Sequence, residues 1–314
     1  MTNKLALVFP GQGSQYLGMG SDLHGYAEAR AVFDEADALL GLSLSRLCFE
    51  GPEDELNDTI NTQPAILTVS VAALHALKAR YDVGEVAFTA GHSLGEYTAL
   101  VAGGHISFAD AVRVVRERGR LMKEAGARSP GGMVAVLGVK AEVVAEACRQ
   151  ASEETGTIVQ VANHNSPQQT VISGEQRGLE EATELVRQKG ARRVVRLAVS
   201  IASHSALMEP AAQGLRGTLS GIALREGGVP VVGNVGGTPL RTTEDVREEL
   251  VKQLVSPVQW VASIRYILNQ GVRTFVEIGP KDVLSRLIRR IDPAAKPISV
   301  DGASGLKAWG ETMG

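Results

Sequence analysis

The stretch whose reading decides the fold is Ala90-Gly91-His92-Ser93-Leu94-Gly95-Glu96-Tyr97. The apolar run Val86-Ala87-Phe88 leads into it, and the helix-compatible run Glu96-Tyr97-Thr98-Ala99-Leu100-Val101-Ala102 follows. Strand, Gly-x-Ser-x-Gly, helix is the setting of a nucleophile elbow. The serine has to stand on a sharp, strained turn so that its hydroxyl clears the strand tip. Gly91 and Gly95 leave room for strand and helix to pack closely around it. The Leu94 amide then points the same way as the hydroxyl, at the positive end of a helix dipole, where a developing oxyanion is stabilised. The bland reading is a glycine-rich turn with an incidental serine; the flanking strand and helix favour the nucleophile.

Around this stretch the chain of 314 residues is long enough for one large domain or two smaller ones, each with a buried core. Its hydrophobic content of 44% and charged content of 21% are those of an ordinary globular protein. A net charge of −3 gives no global reason to expect nucleic acid or an anionic membrane as partner, and 4% aromatics argues against base-stacking surfaces. Cys48 and Cys148 are isolated, without metal or redox spacing, and read as free thiols in a reducing compartment. The start, Met1-Thr2-Asn3-Lys4, runs into a strand, and no run of 18 apolar residues stands out. The expectation is therefore a cytoplasmic protein.

Leu5-Ala6-Leu7-Val8-Phe9 has the length and composition of a buried parallel strand. It ends in Pro10-Gly11-Gln12-Gly13-Ser14-Gln15. The dinucleotide fingerprint fails here, because Tyr16 occupies its third glycine position. The loop instead offers a backbone that a ligand can approach. A helix is expected over about 29–40, then an acidic loop over 50–55, then a long helix opened by Thr62-Gln63-Pro64-Ala65 with Pro64 in its first turn.

After the elbow helix, Gly103-Gly104 signals a stop, and Ser107-Phe108-Ala109-Asp110 resembles a capping box. The helix it opens carries Ala111, Val115, Met122 and Ala125 on one apolar stripe, and Arg118 falls on that same stripe. A buried guanidinium needs an anion. Either a distant Asp or Glu pairs with it structurally, or it holds a substrate carboxylate in its planar fork.

From Ser129-Pro130-Gly131-Gly132 the pattern changes. Strand 133–137, helix 141–151, strands 157–163 and 169–173, helix 175–189 and strand 191–199 spell βαββαβ, the split βαβ of ferredoxin-like folds. The expected architecture is α/β: a large α/β-hydrolase-like domain with a parallel sheet core (1–129 and 199–314) and an inserted ferredoxin-like subdomain (130–198). The cleft between them is the natural binding place. His204 lies where the chain returns to the large domain, near a helix start that favours the neutral imidazole a general base requires. A helix-capping role is the alternative. Further on, 229–234 and 274–280 read as strand-and-turn segments, 245–254, 256–268 and 283–290 read as helices, and 303–314 carries no signal.

Several separated motifs, in order, resemble the malonyl-CoA:acyl-carrier-protein transacylases and the acyltransferase domains of fatty-acid and polyketide synthases. They are Phe9-Pro10-Gly11-Gln12-Gly13-Ser14-Gln15, Thr62-Gln63-Pro64-Ala65, Gly91-His92-Ser93-Leu94-Gly95-Glu96-Tyr97, Arg118-Gly119, Ala162-Asn163-His164-Asn165-Ser166-Pro167, Ser203-His204, Pro257-Val258-Gln259-Trp260 and Glu277-Ile278-Gly279-Pro280. The resemblance implies ping-pong acyl transfer, with Ser93 as nucleophile and His204 as base. It implies an oxyanion hole of the Gln12 and Leu94 amides, Arg118 gripping the malonyl carboxylate, and the His204 ring oriented by a backbone carbonyl near Gln253. Gln63 and Asn163 resemble cleft residues. The implied partners are malonyl-CoA and a phosphopantetheinylated acyl carrier protein. No cofactor, metal, nucleic acid or membrane is expected, and a monomer is the default expectation, since the sequence does not fix the oligomeric state. Lys189, Arg192, Arg193 and Arg196, or Lys281, Arg286, Arg289 and Arg290, are the candidate basic faces for an acidic carrier.

Ile201-Ala202-Ser203-His204 ends as in methylmalonyl-selecting synthase domains, although stand-alone malonyl enzymes also carry Ser before this His; Leu94 favours malonyl. One methyl is an intrinsically weak basis for discrimination. The competing readings are a trans-acting polyketide acyltransferase using malonyl or methylmalonyl units, a serine thioesterase or hydrolase, and a non-catalytic binding module.

Overall fold

The computed structural model describes residues 4–313. Strands β1 (Leu5–Phe9), β2 (Val86–Gly91), β7 (Val231–Val232), β8 (Thr274–Ile278) and β9 (Lys296–Val300) form one sheet in the order β7-β2-β1-β8-β9. All four of its ladders are parallel. β1 sits at its centre with every side chain buried, which is why its sequence is a continuous apolar run rather than an alternation. Strands β3 (Gly131–Leu137), β4 (Val159–Ser166), β5 (Gln169–Glu175) and β6 (Arg193–Arg196) form a second sheet, antiparallel throughout, in the order β4-β5-β3-β6. The helices Ala141–Thr155 and Gln176–Gln188 pack on it around Val134, Val136, Val144, Ile172, Leu179 and Val186. The expected βαββαβ order and the parallel sheet core are both present.

Several expected elements differ. The acidic stretch is not a loop: helices Leu44–Glu50 and Glu53–Asn57 occupy it, since three acidic residues at a helix start complement its dipole. The long helix is Thr59–Arg80 and begins before Thr62, because the Asp58 carboxylate caps it by accepting from the Ile60 amide (3.2 Å). Pro64 therefore lies inside the helix rather than in its first turn. This helix is, among the described residues, the one long and apolar enough to cross a membrane, yet it is buried in the protein along most of its length.

β4 runs on through Ser166, leaving only Pro167-Gln168 as the turn, whereas β6 and β7 are shorter than expected. The silent tail holds the helix Gly302–Met313, anchored by buried Leu306 and Trp309, and β9 precedes it. Pro297 masks β9 in the sequence, and an edge strand is where a sheet tolerates proline.

Candidate active site

β2 ends at Gly91, and Ser93 follows with φ 52°, in the left-handed region that non-glycine residues avoid. The glycines earn their places sterically. A Cβ on Gly91 would lie 1.9 Å from the Gly95 carbonyl, and one on Gly95 would lie 2.0 Å from the Phe9 oxygen. The helix Gly95–Gly103 starts at once and stops at Gly104, which is left-handed. The 10–13 loop packs on this turn: a Cβ on Gly11 would meet the His92 oxygen at 2.3 Å, and the His92 amide donates to the Phe9 carbonyl (3.1 Å). Among the described residues, neither the Gln12 nor the Leu94 backbone amide has an acceptor within the protein.

His204 lies on the segment that follows β6, also with positive φ (59°). Its Nε2 is 2.8 Å from Ser93 Oγ, and its Nδ1 is 2.7 Å from the Gln253 carbonyl oxygen. A carbonyl only accepts, so Nδ1 carries the proton and Nε2 presents its lone pair to the serine hydroxyl. The ring is buried. That burial, with the Arg118 charge second, pulls its pKa down to about 3. His204 is thus a neutral imidazole held next to a hydroxyl, as a general base has to be.

Arg118 reaches the same point from the helix Phe108–Arg128 and is 1% exposed. Its Nη2 donates to Ser93 Oγ (3.1 Å) and to Gln253 Oε1 (2.9 Å), and its Nη1 donates to Gln63 Oε1 (2.8 Å). All three acceptors are neutral, and no carboxylate among the described residues forms a salt bridge with it. Burial pulls the guanidinium below the ordinary arginine value. Gln63 Nε2 donates to Thr59 Oγ1 (3.1 Å), and Thr59 Oγ1 donates to Gln12 Oε1 (2.9 Å), so the Gln12 side chain and Arg118 belong to one network.

Seven of the eight residues singled out from the sequence, Gln12, Gln63, Ser93, Leu94, Arg118, His204 and Gln253, thus meet around one point. Asn163 does not join them. It is buried in β4, bridged to Val258, and no polar contact ties it to Ser93, His204 or Arg118. Its neighbour Asn165 does reach the turn, with Oδ1 2.7 Å from His92 Nε2.

Sequence reasoning also missed Asn234, whose Oδ1 accepts from the Ser93 amide (2.7 Å) and whose Nδ2 donates to the Gly91 carbonyl (2.7 Å). It missed Glu96 as well, which is buried and accepts from the Asn234 amide (2.9 Å) and from Gln253 Nε2. A signal existed for Glu96, since it sits on an otherwise apolar helix start three residues after the nucleophile. None existed for Asn234, which the fold alone brings there. Among the described residues no cluster of three or more His, Cys, Asp or Glu side chains is arranged to hold a metal ion.

A serine on an elbow, a neutral histidine and two free amides define an acyl-transferring enzyme of the serine type. The chain belongs to the acyl transferase domain family, which matches residues 6–302. It is 46% identical over 312 residues to the malonyl CoA-acyl carrier protein transacylase of Bacillus subtilis, covering 99% of this chain and 98% of that one. It is 45% identical over 289 residues to the enzyme of that name from Escherichia coli K12, covering 92% and 93%. Among solved structures it is similar to a malonyl-transacylase in complex with its type II polyketide acyl carrier protein, with TM-score 0.94, 42% identity and 97% and 98% of the two chains covered. The malonyl-CoA:acyl carrier protein transacylase of Xanthomonas oryzae superposes with TM-score 0.94 at 40% identity, covering 98% of each chain.

Proposed function

We propose that this chain moves a malonyl group from malonyl-CoA to the phosphopantetheine thiol of an acyl carrier protein through a malonyl ester on Ser93. The observation that carries the substrate choice is Arg118, a buried guanidinium beside the nucleophile whose partners are all neutral. A buried cation without an anion is costly, and a malonyl carboxylate is the anion that fits a planar fork at that distance from the reacting oxygen. Gln63 and Gln253 hold that fork.

Ser93 Oγ attacks the thioester carbonyl and gives its proton to His204 Nε2. The oxyanion lies toward the Gln12 and Leu94 amides. Collapse breaks the carbon–sulfur bond, and the departing CoA sulfur takes the proton from the imidazolium. In the second half the carrier thiol gives a proton to His204 and attacks the ester, and Ser93 Oγ is reprotonated as it leaves. Because His204 is held neutral far below ordinary histidine values, it remains a base through mildly acidic conditions.

The reacting groups belong to a large domain, 1–129 and 199–314, and the subdomain 130–198 forms the other wall of the cleft. A cavity of about 260 Å³ on that subdomain brings Arg192 and Arg193 together with Arg290, beside Ser166 and Gln169. It is our choice for the face that meets an acidic carrier, drawing on both basic runs of the sequence. Lys281 and Arg286 are spent internally, on the Gly13 and Gln15 carbonyls and on Asp282. Our reading takes the enzyme as a monomer in the cytoplasm, a compartment that keeps buried free thiols such as Cys48 and Cys148 reduced.

Incubation with malonyl-CoA and no carrier, followed by intact-mass measurement, tests the reading. The expected result is one malonyl adduct, mapped to Ser93 and absent in Ser93→Ala. Multiple-turnover CoA release without a persistent adduct would make the protein a hydrolase.

A further inference from the structure

Glu96 carries a buried carboxyl group that the transfer steps do not use, yet its contacts reach both the nucleophile and the guanidinium. It opens the elbow helix, where the positive end of the dipole favours a carboxylate. Glu96, Asn234 and Gln253 are all fully buried, so their polar atoms have to find partners inside the protein. Glu96 Oε1 accepts from the Asn234 backbone amide (2.9 Å), and Oε2 accepts from Gln253 Nε2. The Glu96 backbone amide donates to the Ser93 carbonyl (3.0 Å).

One arm from Glu96 leads to the nucleophile. With its backbone held, Asn234 spans the turn, accepting from the Ser93 amide on Oδ1 (2.7 Å) and donating from Nδ2 to the Gly91 carbonyl (2.7 Å). Ser93 is left-handed, a conformation that persists only where the surroundings over-determine it. The other arm leads to the guanidinium. Gln253 Nε2 faces two acceptors, Glu96 Oε2 and the Ser93 carbonyl (3.0 Å). That decides which end of the amide points where. Its Oε1 is left facing Arg118 Nη2 and accepts from it (2.9 Å). Burial pushes the Glu96 carboxyl up, but the direction of the amide holds in either protonation state, because the Ser93 carbonyl has nothing to donate.

We propose that Glu96 is a positioning residue that sets the donor–acceptor direction of the Gln253 amide, and through it the fork that Arg118 offers an acyl carboxylate, while holding Asn234 against the Ser93 turn. The inference rests on the reading of Ser93 as the acylated residue and of Arg118 as the partner of the carboxylate. Its content is directional. The Asn234 backbone N–H cannot turn round, so an amide in place of the carboxyl group keeps its oxygen on Asn234 and aims its NH2 at Gln253. Two NH2 groups cannot pair. The Gln253 amide then has to turn over, bringing its oxygen against the Ser93 carbonyl and its NH2 against the Arg118 guanidinium. Glu96→Gln is therefore nearly the same shape but reverses the contact that holds the fork. Glu96→Ala supplies no opposing donor, so Gln253 keeps its direction through the Ser93 carbonyl and Arg118.

The test follows the rate of Ser93 acylation in the full chain by intact mass, with malonyl-CoA and with acetyl-CoA, since only the first brings a carboxylate to Arg118. Glu96→Gln is expected to slow both donors and to lower the malonyl-to-acetyl rate ratio by about tenfold. Glu96→Ala is expected to lower that ratio by only about threefold. A side chain that merely fills space predicts the reverse order, with the isosteric glutamine nearer the parent. Asn234→Ala, which cuts only the arm to the turn, is expected to slow both donors alike, by about tenfold, and to leave the ratio unchanged. The parent ratio in Glu96→Gln, a larger fall in Glu96→Ala than in Glu96→Gln, or an equal fall in Asn234→Ala would overturn the proposal. If the glutamine variant does not fold, the alanine variant decides alone: a ratio about threefold below the parent supports the proposal, and the parent ratio overturns it. A parent protein that malonyl-CoA does not acylate, or that takes acetyl as fast as malonyl, would overturn the functional reading instead.

Discussion

The two sheets divide the work of the cleft unequally. The parallel sheet carries its loops at the ends of β1 and β2, and these supply Gln12, Ser93 and Leu94. Among the described residues, the non-glycine positions with positive φ are Ser93, His204 and Lys281, and none lies in a strand of either sheet. Ser93 follows β2, Lys281 follows β8 and braces the Gln12 loop, and His204 sits on the return from the antiparallel unit. The antiparallel sheet is unstrained by that measure and touches the site from the side. Asn165 meets His92, Gln160 meets the His204 loop, and Arg192 and Arg193 line the outer cavity. Strain is concentrated where bonds are to be broken, and regular structure is left to meet the partner.

The largest effect should fall on the strained side. Arg118→Ala removes a buried cation that contacts the nucleophile, and losing such a charged partner costs about 2–5 kcal/mol. Malonyl transfer should drop by about two to three orders of magnitude on that basis, whereas acetyl transfer, which brings no carboxylate, should fall far less. Arg118→Lys should recover little, because a point charge does not reproduce the fork that Gln63 and Gln253 hold in place. Steady-state kinetics with both donors decide this. Equal losses would make Arg118 a scaffold residue and break the division between reacting and supporting regions.

That division explains what was readable beforehand. Ser93 and its glycines announce themselves because an elbow imposes sterics on consecutive residues. Arg118 is legible because one charge interrupts an apolar helical stripe. The βαββαβ order survives inspection because each of its elements has its own periodicity. Asn234 is silent, since it acts through contacts between positions far apart in the chain: it meets Ser93 across 141 residues. Asn163 was drawn in by its neighbours, but only the β-bulges of β4 decide which asparagine of that strand reaches the turn, and it is Asn165. The helix Gly302–Met313 is hidden by its glycines, of which Gly305 has no room for a side chain, since a Cβ there would lie 2.7 Å from Val300 Cα.

A second effect should fall on the partner-facing side alone. None of Arg192, Arg193 and Arg290 forms a salt bridge among the described residues, and the Arg290 guanidinium donates to Gln169 Oε1 (2.8 Å). Reversing all three charges to glutamate should raise the KM for an acidic carrier protein by about tenfold at low salt, with the difference shrinking as ionic strength rises. Loading of Ser93 from malonyl-CoA should change less. If both half-reactions fall together at every salt concentration, the cavity belongs to the catalytic side and the carrier docks elsewhere.

The smallest effect should come from Gln160, the contact where the two regions meet. Its Oε1 accepts from the Ala206 amide (3.1 Å), while its Nε2 lies 3.4 Å from the His204 oxygen and 3.5 Å from the Val255 oxygen. The first is an ordinary hydrogen bond and the other two are at the long limit, so together they are worth about 1 kcal/mol. Gln160→Ala should therefore slow the acylation step by about fivefold, with binding of malonyl-CoA unaltered, because the left-handed His204 peptide loses a brace but keeps its bond to the Gln253 carbonyl. Rapid-quench measurement of the first turnover isolates this from carrier release. A loss as large as that of Arg118→Ala would mean that the antiparallel sheet helps to set the base, and that the boundary between reacting and supporting regions runs through β4 rather than around it.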